Sequence, residues 1–300
     1  MGFGLGCRPS GELAVSLYLH IFASIWYTFI ELQQRLRDAW RLERVAAGMS
    51  ALPLRAHSPQ LTAFFATLEQ MNDTPFDLFA FDAYLFDIDG TLANTRGRVH
   101  YNSFHTALRE VYGCEGRIDN VPVHGNTDPG ILRAALKYHQ QFPPDFEARL
   151  PRAWEIMCAE VAQKADEMEV ELCPGIPELL AELHRQGKLI GVVTGNLEAI
   201  GWRKLERGGI RHFFDFGSFS DTREKREDIF RHGVEVARRL RCPQTSVCFV
   251  GDTPSDVRAA AHLGMPVIAV ATGIYSRDEL AKESPTVCVS SCGELLAAVR

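Results

Sequence analysis

Asp87 and Asp89 stand two positions apart in the run Phe86-Asp87-Ile88-Asp89-Gly90-Thr91-Leu92, directly after an apolar stretch, residues 83–86, that reads as a β-strand. The alternation of an extended chain points both carboxylates to one side and turns Ile88 into the core. Two carboxylates this close repel a dianionic phosphate ester unless a divalent cation and a basic side chain offset the charge, so the pair predicts a metal site. With Mg²⁺ as the metal, Asp87 can attack phosphorus in line and form an acyl phosphate. Asp89 can then protonate the departing oxygen and later take a proton from the hydrolytic water. Gly90 permits a tight turn, and Thr91 can cap it.

Such a pair needs a scaffold, and beyond residue 80 the chain supplies one by alternating short apolar runs with helical patterns. Residues 83–86, 189–193, 246–250 and 266–270 read as strands. Each stops at a polar, glycine-bearing turn: Asp87 to Gly90, Thr194-Gly195-Asn196, Gly251-Asp252 and Ala271-Thr272-Gly273. This pattern predicts an α/β fold, a doubly wound parallel sheet of Rossmann-like type, in which ligands bind beyond the carboxyl ends of the strands. Between residues 97 and 184 the pattern changes to helix after helix (100–111, 129–139, 145–165 and 175–186), an inserted all-helical cap and a candidate lid. The expected division is an N-terminal extension over 1–80, a catalytic core over 81–96 and 185–300, and a cap over 97–184.

The chain from residue 80 to about 290 resembles the haloacid dehalogenase superfamily, in particular phosphatases similar to phosphoglycolate phosphatase that carry a helical cap after the first strand. Asp87 to Leu92 looks like the family's first motif, with nucleophile Asp87 and acid/base Asp89. Residues 192–196 look like the second, in which Thr194, with the neighbouring Gly195 and Asn196, would hold the transferring phosphoryl group at a helix start. Gly251-Asp252-Thr253-Pro254-Ser255-Asp256 looks like the fourth. The resemblance implies Mg²⁺ held by Asp87, the Asp89 backbone carbonyl and Asp252, with Asp256 in support, a hard oxygen set that suits this ion. The third motif is a basic residue ahead of a helix, usually beside proline. Here Asp221-Thr222-Arg223-Glu224-Lys225-Arg226-Glu227-Asp228 has no Lys-Pro. Arg226 is the choice because apolar Ile229 follows three residues later, with Lys225 the alternative; a guanidinium would meet phosphate as a planar fork. Two further stretches, Gly125 to Ile131 and Cys173 to Leu180, resemble the cap and the return into the core.

Composition narrows the partners. With 46% hydrophobic and 23% charged residues among 300, the chain can bury a large core. A net charge of −6 with the two signs interspersed offers no face for a nucleic-acid backbone, so the expected partner is a small phosphorylated metabolite. Eight cysteines without a Cys-x-x-Cys pair read as reduced cytoplasmic packing. Residues 13–30 are apolar and just long enough to span a bilayer, with arginines following. A membrane anchor with the catalytic part in the cytoplasm is one reading of that segment; an accessory helix, or a start at Met71 or Met49, are the others. A phosphomutase of the same superfamily and a non-catalytic, membrane-tethered binding protein are the competing functions. Asp89 and Asp252 argue against dehalogenation, which needs neither.

Overall fold

The computed structural model describes residues 76–297, and residues 13–30, the candidate membrane segment, lie outside them. Among the described residues no helix is long and apolar enough to cross a membrane.

Eight strands and nine α-helices follow the described chain: β1 (Ala83–Phe86), β2 (Ala93–Arg96), α1 (Val99–Tyr112), α2 (Asp128–Tyr138), α3 (Phe146–Gln163), β3 (Glu169–Leu172), α4 (Ile176–Arg185), β4 (Leu189–Val193), α5 (Glu198–Arg207), β5 (Phe216–Ser218), α6 (Arg226–Leu240), β6 (Val247–Gly251), α7 (Pro254–His262), β7 (Val267–Val270), α8 (Arg277–Ala281), β8 (Val287–Val289) and α9 (Cys292–Ala297). Six strands form one sheet in the order β5-β4-β1-β6-β7-β8, and every pairing in it is parallel. Strands buried on both faces need no polar alternation. Accordingly β1, β6 and β7 are apolar and buried throughout.

The sheet order reverses at β1, which has β4 on one side and β6 on the other. Chains leaving neighbouring strands in opposite directions open a crevice at their carboxyl ends. In the register, Phe86 lies level with both Val192 and Val250. Asp87, Thr194 and Asp252 therefore emerge from adjacent strands at one edge.

Helices α1 to α3 build a second apolar core, in which Phe104, Leu108, Leu132, Leu150 and Met157 are buried together with Leu197 and Ile200 from the start of α5. Helix α1 ends on Gly113, whose φ of 66° is left-handed, and the Gly113 N–H returns to the Arg109 carbonyl. The sequence pattern predicts only helices between 97 and 184, and the structure adds a strand there. Antiparallel β2 and β3, from Ala93↔Leu172 to Arg96↔Glu169, form a two-stranded ribbon where this segment leaves and rejoins the sheet. With four residues each, several of them charged and partly exposed, these strands carry no apolar run to announce them. The remaining predicted elements agree with the structure to within about two residues at each end.

Candidate active site

Asp87 is the first residue beyond β1, and its N–H donates to the Val250 carbonyl at 3.0 Å, continuing the ladder toward β6. Its side chain is buried, 5% exposed. The backbone then folds tightly over Ile88, whose carbonyl accepts from the N–H groups of Thr91, Leu92 and Ala93. Two constraints require glycine at 90: φ is +84°, and a Cβ would stand 2.2 Å from Asp252 Oδ2. Gly273 faces the same oxygen from the loop after β7, where a Cβ would stand 1.8 Å away. Two loops are thus shaped around one carboxylate.

Asp87, Asp252 and Asp256 are all buried, and one oxygen of each lies within 4.8 Å of the others. Their bonding differs. Asp256, the third residue of α7, is saturated: Oδ2 accepts from the Thr253 N–H at 3.0 Å and hydroxyl at 2.6 Å in a capping box, and Oδ1 accepts from Arg226 Nε at 2.8 Å and Nη2 at 2.5 Å. Asp252 receives, among the described residues, a hydrogen bond from the Thr91 hydroxyl at 3.0 Å. Asp87 Oδ2 accepts from Arg226 Nη2 at 2.7 Å.

Arg226 therefore bridges Asp87 and Asp256 while itself buried. It opens α6 on the face that carries Ile229 and Phe230, both buried, at the i+3 and i+4 positions. Lys225 is the N-cap residue of that helix and is exposed, lining a separate surface hollow with Asp228 and His232. It does not join the carboxylates. The structure brings Arg226, and not Lys225, to the carboxylates: Arg226 opens the buried face of the helix, whereas Lys225 precedes it with an extended backbone (φ −80°, ψ 132°).

Burial pushes the Asp87 carboxyl up to about 6, against the pull of Arg226 and with a further push from Asp256 and Asp89. Asp252 is driven well above the usual carboxylate range by burial, then by Asp256 and Asp87. Desolvation acts against the charged form of Arg226, but Asp256 and Asp87 outweigh it and hold the guanidinium charged.

The second carboxylate of the pair meets a residue that the sequence reading did not single out. Lys204, on α5, is 2% exposed, and its Nζ donates to Asp89 Oδ1 at 2.7 Å, Asp89 Oδ2 at 2.6 Å and Asn196 Oδ1 at 2.6 Å. Asn196 Nδ2 adds a bond to Asp89 Oδ2 at 2.8 Å. Burial acts to raise the Asp89 carboxyl, and Lys204, with Asn196 and His100, more than offsets it, so the group lies below its ordinary value. The available signal was position: Lys204 shares the buried face of α5 with Ile200, four residues earlier.

Thr194 is 1% exposed beyond β4, and its hydroxyl accepts from Asn196 Nδ2 at 2.9 Å. Gly195 is a close-approach glycine, since a Cβ there would lie 2.2 Å from the Asn126 carbonyl. The Asp128 N–H donates to the Gly195 carbonyl at 2.7 Å, and the Leu197 N–H donates to Asp128 Oδ2 at 2.8 Å. The start of α2 is thereby tied to the turn after β4.

Above this floor is a cavity of about 410 Å³ that Asp87, Asp89, Thr194, Asn196, Lys204 and Arg226 line from the sheet side. Nucleophile-capable carboxylate, acid/base-capable carboxylate, guanidinium and hydroxyl share one concave space, as group transfer to a carboxylate requires.

The chain is similar to several known proteins over most of its described residues. A protein of Dickeya dadantii named probable phosphatase IndB is 28% identical over 222 residues, 71% of this chain and 91% of the relative. The phosphoglycolate phosphatase of Pseudomonas savastanoi pv. phaseolicola is 25% identical, covering 71% of this chain and 77% of the relative. Among solved structures, the fold is shared with a predicted phosphoglycolate phosphatase from Haemophilus somnus (TM-score 0.54, 20% identity, 75% of this chain and 100% of that one) and with CbbY from Rhodobacter sphaeroides in complex with phosphate (TM-score 0.53, 23% identity, 73% and 98%). The family model for haloacid dehalogenase-like hydrolases matches residues 84–270, from β1 to the end of β7, and the chain belongs to that family.

Proposed function

We propose that the protein is a Mg²⁺-dependent phosphatase that hydrolyses a small phosphorylated metabolite through an aspartyl phosphate on Asp87. The observation that carries this reading is the imbalance at the site: of three buried carboxylates with oxygens within 4.8 Å of one another, two share one guanidinium and Asp252 is not paired with it. Unpaired buried charge is costly, and Asp252, with a single hydroxyl donor from Thr91, is the least satisfied of the three. The donor set, all carboxylate oxygen, fits a hard divalent cation. Asp87 and Asp252, with the Asp89 backbone carbonyl, would hold it, and Asp256 would keep Arg226 and the Thr253 turn in place from behind. When bound, the metal supplies charge neutralisation for the phosphoryl oxygens.

The chain's own residues account for the remaining steps. Arg226 holds Asp87 through Oδ2, leaving the other carboxylate oxygen to attack phosphorus; the bond from phosphorus to the leaving oxygen breaks, and Asp89, ionised in the resting site, passes to that oxygen the proton it takes from the monoanionic substrate on binding. Asp89, now ionised, takes a proton from water as the water attacks phosphorus, which returns the Asp87 carboxylate and releases phosphate. The Thr194 hydroxyl accepts from the side chain and the backbone N–H of Asn196 and keeps its own proton for a phosphoryl oxygen, beside the backbone N–H of Gly195. Lys204 and Asn196 hold the Asp89 carboxylate at the edge of the cavity.

Helices α1 to α3 act as the cap in this reading, residues 97–184 in all, and close the cavity from the side opposite the sheet. The catalytic unit is placed in the cytoplasm, supported by seven free cysteines among the described residues. The direct test is phosphate release from an aryl phosphate by purified protein with Mg²⁺. EDTA or Asp87→Asn should abolish it, and undiminished turnover by Asp87→Asn would overturn the mechanism.

A further inference from the structure

Helix α2 and the residues just before it meet the sheet side of the molecule at three loops, each of which carries part of the site. At the start of the helix, the Asp128 N–H and Oδ2 hold the Thr194 turn through the Gly195 carbonyl and the Leu197 N–H. Gly125 lies so close to the loop after β6 that a Cβ would stand 2.9 Å from Thr253 Oγ1 and 3.0 Å from Ser255 Oγ. Further along the helix, Arg133 reaches the loop ahead of α6: its Nε donates to Glu224 Oε1 at 2.7 Å and its Nη2 to Glu224 Oε2 at 2.6 Å.

Surface ion pairs contribute little as a rule, but this one is bidentate and its side chains are only 23% and 34% exposed. Arg133 is also fixed from its own side. Its guanidinium lies over the Phe146 ring, 4.4 Å from the centroid, and Nη2 donates to Glu147 Oε1 at 2.6 Å. An arginine held in this way between α2 and α3 offers Glu224 a single place to dock.

Glu224 precedes Arg226 by two residues, at most about 7 Å of chain, and the turn between them is weakly held by its own bonds. Lys225, the N-cap residue, makes no side-chain cap bond, and the Arg223 N–H reaches the Ser220 carbonyl only at 3.4 Å. Arg226 must nevertheless arrive with its fork on Asp256 and its Nη2 on Asp87. An error of about 1 Å in such a group costs on the order of a hundredfold in rate.

We propose that Arg133 is a positioning residue: by gripping Glu224 it sets the segment that carries Arg226, so that the guanidinium meets Asp87 only while α2 is seated on these loops. Closure of the cavity and assembly of its cation are then one event. The effect on rate rests on the phosphatase reading of the same site; the placement of Arg226 does not. The test compares wild type, Arg133→Met, Glu224→Gln, the double variant and Glu147→Gln. Turnover of an aryl phosphate is measured at saturating Mg²⁺, and exchange of the Arg226 Nε–H is followed by ¹⁵N–¹H NMR, its resonance assigned by its loss in Arg226→Lys. Arg133→Met and Glu224→Gln should each lower kcat at least tenfold with KM changed less than threefold. Each should also speed exchange of this Nε–H, which in wild type is buried against Asp256 Oδ1 at 2.8 Å, at least tenfold. The double variant should lie within twofold of the worse single one, because the two residues act as a unit. Glu147→Gln, which leaves the tie to Glu224 intact, should stay within twofold of wild type in both measurements. If Arg133→Met does not fold, the isosteric Glu224→Gln carries the same test. Folded variants with kcat within twofold of wild type, losses that multiply in the double variant, or a lowered kcat with unchanged Nε–H exchange would overturn the assignment. Absence of phosphate release by folded wild type would instead overturn the phosphatase reading, and Nε–H exchange would still decide whether Arg133 places Arg226.

Discussion

Replacing Asp87 by asparagine should abolish turnover and, in metal-free protein at neutral pH, make the fold more stable. Burial raises the Asp87 carboxyl from 3.8 to about 6, so the folded protein resists its ionisation. Because the folded value is raised, the stability linked to this group is fully present below about pH 4 and is lost as pH rises through about 6. Roughly two units at 1.36 kcal/mol each amount to about 3 kcal/mol at pH 7. The asparagine amide has the shape of the protonated acid and escapes that loss. Urea unfolding followed by tryptophan fluorescence, in EDTA between pH 4 and pH 7.5, measures it. The wild type should approach the variant in stability at pH 4 and fall below it by up to about 3 kcal/mol at pH 7, because groups common to both proteins cancel in the difference. Mg²⁺ at a thousand times its Kd should reverse the order, since a metal that engages ionised Asp87 would stabilise wild type by about 4.1 kcal/mol, more than the deficit. A difference that does not vary with pH, or a variant less stable than wild type by more than about 1 kcal/mol at pH 7 in EDTA, would refute the electrostatic account of the site.

Other perturbations probe the neighbours. Arg226→Met removes the guanidinium between two buried carboxylates and should cost about 3–5 kcal/mol of stability in denaturant unfolding together with nearly all activity; Arg226→Lys keeps the charge without the fork and should recover stability better than kcat. Gly90→Ala forces a left-handed residue and a Cβ against Asp252, and should lose Mg²⁺ affinity in calorimetry and at least about 1 kcal/mol of stability. Thr253→Ala removes both the helix cap and a bond to Asp256, which should lower stability by about 0.5–2 kcal/mol and reduce kcat with it.

The parts of this site that can be read from the sequence are those whose signal is local. Asp87 follows a four-residue apolar strand, Asp252 follows a five-residue one, and the turn residues beside them restrict the backbone, so strand, turn and carboxylate appear together in one short window. The Arg226 guanidinium was half legible: the apolar Ile229 phases α6, but the neighbouring Lys225 is set apart only by standing one residue before the helix begins, a boundary that packing decides. Lys204 left almost no trace. A lysine usually belongs to water, and its ion pair with Asp89 joins residues 115 positions apart. The ribbon of β2 and β3 was unreadable for a different reason, being too short, too polar and too exposed for periodicity to mark it.

The central claim is that phosphate passes through Asp87, and acid-quench peptide mapping after mixing with radiolabelled aryl phosphate and Mg²⁺ tests it most directly. Asp89→Asn, which lacks the base for the second step, should accumulate label on the peptide that contains Asp87, and the same variant carrying Asp87→Asn should hold none. Label on another residue, or wild-type turnover with no protein-bound phosphate in either the wild type or Asp89→Asn, would contradict the account.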